Sequence, residues 1–284
     1  MRIGLTTFAA RSVAVVALAG TAALGGCASA SSVTVQQEQQ VGADYSRQIN
    51  AQLPLVRDAA SNDYINELGK RIARVADPRG IPYTFYIVNS DVVNAFSIPG
   101  GYVYVNRGLI ERASNASELA GVLGHEIAHV VDRHSINQMA KAQNANNLLG
   151  VLGTVLLGRA SPVVQQGAQV AVQVGGSAIF AGFSRADERQ ADHDGVIFET
   201  RAGYNPRGMV TMFQKLVTEE QNSPGRLSQF FATHPGAQER ITNVQAEINA
   251  TPAARATNLT TDTRPFQSFR SRLRTLTPYP SDRK

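Results

Sequence analysis

Between residues 63 and 75 the apolar side chains fall at Ile65, Leu68, Ile72 and Val75. That spacing of three and four is one face of a helix, so the stretch predicts a helix packed on a core. The pattern then changes. YTFYIVNS (83–90) and YVYVNRG (102–108) are rich in β-branched and aromatic residues and flank SIPGG (97–101). They predict strands joined through a turn, a small antiparallel sheet. Asn115, with Glu118 three positions on, marks a capped start for a helix running to about Lys141. A further helix is expected around 206–219. Helices dominate and the strands are few, which predicts a mainly helical α+β fold.

Two apolar stretches do not fit a globular core so simply. The first runs from Val13 to Leu24 behind Arg2 and Arg11, and it is too short to span a bilayer. It reads as an export signal. LGGC (24–27) resembles the bacterial lipoprotein signal, which predicts cleavage after residue 26 and a lipid on Cys27. Cys27 is the only cysteine, which accounts for an exported chain without a disulfide framework. Ala28 after it resembles the pattern that directs such lipoproteins to the outer membrane. The competing reading cleaves at ASA (28–30) and releases a soluble periplasmic protein. The second stretch, within 143–183, has an apolar run at 148–157 broken by Arg159 and Pro162, so it cannot span a bilayer by itself. It reads as a helical hairpin, either packed in the core or serving as a glycine-rich lid.

Composition narrows the function classes. With 284 residues, 43% of them apolar, the chain can bury a full core and is not disordered. The net charge of +5 includes Arg2 and Arg11; without them 25 basic residues face 22 acidic ones, leaving +3. That is too weak to indicate nucleic acid. Much of the excess lies in FRSRLRTL (269–276), read as the solvated face of a short helix in a basic C-terminal tail (251–284). No repeat of 30–45 residues is visible. The division is then a signal peptide over 1–26, a tether over 27–43, one domain over 44–250, and the tail.

The candidate chemistry lies in GVLGHEIAHVVDRHS (121–135), which holds three of the five histidines. At about 100° per residue, His125 and His129 come within about 40° of each other, one turn apart, and can grip one ion. His134 lies about 180° from His125 on the same count and is not expected to be a ligand. Zinc hydrolysis needs neutral imidazoles on one face, an open position for water and a carboxylate to take that water's proton. His125 and His129 supply the first and Glu126 the last. The third ligand decides the subclass. A metzincin would require Gly at 132 and His at 135, where Asp132 and Ser135 stand. A gluzincin takes a glutamate from a second helix, and SRADERQADHDG offers Asp187, Glu188, Asp192 and Asp194. Glu188 and Asp192 share a face. Glu199 falls on it too, but about 16 Å along the helix from Glu188. Periodicity does not rank Glu188 above Asp192.

NAFSIPGGYVYVNRGLI, HEIAHVVDRHS, SRADERQAD and THPGAQERI, in that order, resemble the family 48 metallopeptidases. The family includes HtpX and the CAAX prenyl proteases, and the likeness is closest to small lipoprotein members such as LoiP. The resemblance implies a gluzincin with one Zn²⁺ per chain held by His125, His129 and Glu188. Asp192 would then hold the imidazole of His125 in its tautomer. It also implies that an extended peptide adds as an antiparallel strand along NAFSIPGG, contacting Asn94 and Ala95. His234, ahead of Pro235 at a helix start, is placed beside the metal. Two roles compete for it: stabilising the oxyanion, or holding the open zinc position in a latent state. The first is expected.

These readings converge on a zinc-dependent endopeptidase anchored in the bacterial envelope as an outer membrane lipoprotein facing the periplasm. It would hydrolyse extended or misfolded envelope proteins in quality control. Its partners are those substrates and the membrane through Cys27, with no nucleic acid; a homo-oligomer is left open. The rival is a noncatalytic zinc-containing lipoprotein that binds clients or scaffolds an assembly. Glu126 argues against it, because binding alone needs no general base.

Overall fold

The computed structural model describes residues 33–144 and 182–277. The expected signal peptide, Cys27 and nearly all of the expected hairpin or lid at 143–183 lie outside the described residues. The first helix, α1 (Val35–Gln52), opens on a capping box in which Thr34 and Gln37 satisfy each other's backbone N–H groups. The tether expected through residue 43 is therefore helical from Val35 onward. Its polar sequence hid a shallow apolar side, Tyr45, Ile49 and Leu53, which covers the outer face of the sheet with Tyr86, Phe96, Tyr102 and Tyr104.

The predicted stripe lies on α2 (Ala59–Ala76), where Ile65, Leu68 and Ile72 are buried. Val75, counted with them, is the exception at 38% exposed. β1 (Thr84–Val88), β2 (Ala95–Ile98) and β3 (Tyr102–Asn106) form a sheet in the order β1-β3-β2. The antiparallel pairing expected between YTFYIVNS and YVYVNRG, which hold β1 and β3, is not found; the antiparallel partner of β3 across the turn is β2, from within NAFSIPGG. β1 instead pairs with β3 in parallel, so the sheet is mixed rather than antiparallel throughout. The 89–94 connection carries the chain from the β1 edge to the opposite edge, where β2 forms, and β3 then fills the place between them. Asn66 of α2 closes the outer edge of β1. Its amide accepts from the N–H of Phe85 at 3.1 Å and donates to the same residue's carbonyl at 2.9 Å, as a neighbouring strand would. On the far side, β2 is the other edge.

After α3 (Arg107–Arg112) comes the central helix, α4 (Ala116–Val131). Its predicted cap is present: Asn115 Oδ1 accepts from Glu118 N at 3.0 Å. Fifteen of its residues are buried, and it packs against α2, β2, α6 (Arg185–Arg201) and α7 (Arg207–Asn222). The expected run to about Lys141 does not hold. α4 stops at Val131, Arg133 adopts a left-handed φ of 57°, and α5 (His134–Asn144) starts a new axis. The Arg133 guanidinium holds the break: it donates to Glu38 Oε2 at 2.9 Å and to the Val33 carbonyl at 2.6 Å. α4 and α6 approach closely where Gly124 meets Gly195; a Cβ on Gly195 would lie 3.2 Å from His125 N. Two glycines thus let the backbones of the two motif helices come near enough to share an ion.

The chain continues through α8 (Ser228–Thr233), α9 (Ala237–Ala250), a 3₁₀ turn at Pro252–Arg255 and α10 (Arg264–Thr275). α10 is the expected short helix with an exposed arginine face, but it is no appendage. Phe266, Phe269 and Leu273 are buried against the core, so the folded domain extends past residue 250. No helix among the described residues is long and apolar enough to cross a membrane.

Glu199, on the same face of α6 as Glu188 but eleven residues further on, is fully buried, and neither carboxylate oxygen has a hydrogen-bond partner. Burial pushes its pKa well up. A raised folded-state pKa means that its contribution is most favourable below the unfolded value, about 4.3, and is lost as pH rises towards the folded one. Glu199→Leu should therefore stabilise the fold by about 1–3 kcal/mol at pH 8 and flatten the decline of stability between pH 5 and 8. Urea melts at both pH values check this; an unchanged pH slope would show that the carboxyl is solvated after all.

Candidate active site

Four buried side chains from three elements converge. His125 and His129 come from α4, Glu188 from the first turn of α6, and His234 from the residue that ends α8. One donor atom from each lies within 4.8 Å of all the others. His125 Nε2 is 3.0 Å from His129 Nε2 and 3.6 Å from Glu188 Oε2, and His129 Nε2 is 3.3 Å from Glu188 Oε1. Donors about 2.0–2.2 Å from a tetrahedral ion stand about 3.3–3.6 Å apart; the two distances to the Glu188 carboxylate match that spacing and the one between the two histidines is slightly shorter, an arrangement that suits one small divalent cation. The donor set points the same way: three carboxylates, Glu126, Glu188 and Asp192, are buried around the imidazoles, with Arg240 set against two of them.

Asp192, one turn beyond Glu188, does not enter the donor set. Its Oδ1 is 3.0 Å from His125 Nδ1, so it accepts from the ring nitrogen that faces away from the cluster. Arg240 of α9 grips the same carboxylate through two hydrogen bonds, 2.8 and 2.7 Å, and sets Nη1 2.6 Å from Glu188 Oε2. Against the desolvation of burial, Asp192 and Glu188 hold the Arg240 pKa above its usual value. Glu188, likewise against burial, is held far below the usual carboxylate range by His234 and Arg240. Burial and the neighbouring His125 keep His129 neutral, the state a metal ligand needs.

Glu126 projects beside the cluster and accepts a 3.0 Å hydrogen bond from Ser97 Oγ in β2. Asn94 and Ala95 lie at the start of the same edge strand. The Asn94 carbonyl accepts from Asn106 N at 2.9 Å and so faces β3, while Asn94 Oδ1 is buried without a partner. The Ala95 carbonyl faces outward and lies 3.4 Å from His234 Nε2. The other nitrogen of that ring, Nδ1, is 3.4 Å from His125 Nε2 and 3.2 Å from Glu188 Oε1.

Four neighbours had no place in the motif reading. Ser97 and Phe183, whose ring stacks on His129 at 3.8 Å, carry no signature in sequence. Arg240 stands in THPGAQERI, but no rule of spacing ties it to a carboxylate 48 residues away. His134 is not a donor to the cluster, as expected, yet it does not point away. The break at Arg133 turns its Nδ1 to within 2.8 Å of His129 Nδ1.

Residues 59–248 match the model of Peptidase family M48. The chain is 33% identical over 226 residues to the beta-barrel assembly-enhancing protease of Escherichia coli (strain K12), covering 79% of this chain and 46% of that protein. To the putative beta-barrel assembly-enhancing protease of Vibrio cholerae it is 31% identical over 230 residues, 80% and 47% of the two. To the mitochondrial metalloendopeptidase OMA1 of Schizosaccharomyces pombe it is 27% identical over 195 residues, 69% and 55%. The chain thus spans about half the length of the curated relatives it matches.

Proposed function

The chain belongs to peptidase family M48, and from that premise we propose that it is a zinc endopeptidase of the bacterial cell envelope acting on extended or misfolded envelope proteins, tethered to the outer membrane through Cys27. The observation that carries the zinc reading is the spacing of His125, His129 and Glu188, with a buried carboxylate, Glu126, beside them. The envelope part leans on the relatives, whose name speaks of β-barrel assembly, and on the lipoprotein-like LGGC. A scaffold without catalysis gives no reason for Ser97 to orient Glu126.

When bound, zinc polarises the scissile carbonyl and the attacking water. The rest belongs to the chain. Glu126 takes the proton of the water and passes it to the departing amine, and Ser97 fixes which oxygen is free to do so. Asp192 keeps the proton of His125 on Nδ1, leaving Nε2 as the donor. A substrate strand lies antiparallel along β2, with the Ala95 carbonyl accepting from its backbone and Asn94 Oδ1 free for another donor. Such recognition reads backbone, which suits unfolded segments of varied sequence.

For His234 the geometry favours the latent role over the expected oxyanion role. Its Nδ1 is the fourth donor atom of the cluster and its Nε2 lies 3.4 Å from the Ala95 carbonyl, so the ring would take a ligand place otherwise left to water and stands where a substrate backbone would pair. Casein digestion, with zinc and with a chelator, tests the function, and His234→Ala beside the wild type tests the latch. Cleavage should require zinc, and the variant should cleave several-fold faster. A variant slowed about 10²- to 10³-fold with zinc retained would restore the oxyanion role. Zinc-loaded wild type and variant that both leave casein intact would sink the protease reading.

A further inference from the structure

We propose that His134 is a positioning residue for the metal centre, an imidazole that accepts the hydrogen bond of His129 Nδ1–H and so fixes which nitrogen of that ring faces the ion. The inference rests on the zinc reading above and adds to it. The two rings meet Nδ1 to Nδ1 at 2.8 Å, with centroids 4.9 Å apart and planes at 69°. One of the two nitrogens must carry a hydrogen and the other a lone pair. With Nε2 of His129 directed at Glu188 and His125, its Nδ1 carries the hydrogen, and His134 Nδ1 accepts. The hydrogen of His134 then sits on Nε2, which faces Gln190 Oε1 at 3.5 Å and Asp187 Oδ1 at 3.8 Å. Both acceptors lie on α6, the helix that supplies Glu188.

The arrangement gives the two histidines of α4 different supports. His125 is held by a carboxylate, Asp192, itself clamped by Arg240. His129 is held by a neutral ring. Phe183 stacked on one face of His129 leaves the imidazole little freedom except about this hydrogen bond. His134 reaches His129 only because the helix breaks between them. On an unbroken helix, five residues would set the two about 140° apart. Arg133, at the break, is tied to the fully buried carboxylate of Glu38, which Arg79 also approaches at 3.3 Å. The support of His129 is thereby anchored to α1.

Asparagine and glutamine at position 134 separate a hydrogen-bond role from space filling. The amide oxygen of asparagine falls near the place of Nδ1, and that of glutamine near the place of Nε2. Zinc affinity of the full chain is measured by competition with a chelating indicator, and the Co²⁺-loaded proteins are compared by visible absorption. His134→Asn should bind zinc within about threefold of wild type and keep the cobalt spectrum. His134→Gln should bind about 10- to 100-fold more weakly, with a shifted spectrum. Equal affinity in the two variants, whether both high or both low, would overturn the assignment. Circular dichroism of the metal-free variants shows whether both are folded. A wild type that binds no zinc would defeat the zinc reading itself, a different result from either.

Discussion

Glu126→Gln should retain one zinc per chain and lose about 10²- to 10⁴-fold in kcat, with little change in KM. The residue contributes no donor to the cluster; those come from His125, His129, Glu188 and His234. The amide is isosteric and can still accept from Ser97, so neither the metal nor the fold has reason to change. What it cannot do is take a proton. Metal analysis and steady-state kinetics on an unfolded protein check the two halves separately. Near-normal turnover would mean that another group is the base, and His234, 3.5 Å from Glu126 Oε1, would be the next to substitute.

The part of this site that sequence made legible is the part generated by local periodicity. His125, Glu126 and His129 are fixed by five consecutive residues of one helix, and the cap at Asn115 and Glu118 is a short-range signal of the same kind. Glu188 and Asp192 share a face, so spacing narrowed the choice without making it. Their different roles depend on Arg240 and His125, which lie on other elements. The helix break was hidden because it rests on a non-glycine residue in a left-handed conformation, held by an ion pair to a helix 95 residues earlier. The mixed sheet escaped for a similar reason. Strand propensity marks β1, but only the connection that crosses to the far edge before β2 decides that β1 runs parallel to β3. Polar α1 read as a tether because the few apolar residues it buries face the sheet, not a helix stripe of the usual width.

Arg240→Met should destabilise the metal-free protein by about 3–5 kcal/mol, the range seen when one partner of a buried ion pair is removed. At about 2–4 °C per kcal/mol for a domain of this size, that is a fall in Tm of about 6–20 °C. The guanidinium is 2% exposed, lies 4.3 Å from the centre of the Phe213 ring, and is the cation that faces both Glu188 and Asp192. Methionine fills much of the stem's volume, so the loss isolates charge rather than packing. Zinc should recover part of it, since the ion gives Glu188 a new partner and favours the folded state by mass action, while Asp192 stays uncompensated. Adding Asp192→Asn to Arg240→Met removes that second charge, and the double variant should be more stable without metal than Arg240→Met alone. Calorimetric melts of the three proteins, each with zinc and with chelator, measure every term. A loss below about 1 kcal/mol in Arg240→Met, or strict additivity in the double variant, would mean that the two carboxylates are solvated or protonated in the metal-free fold and that Arg240 does not hold them charged.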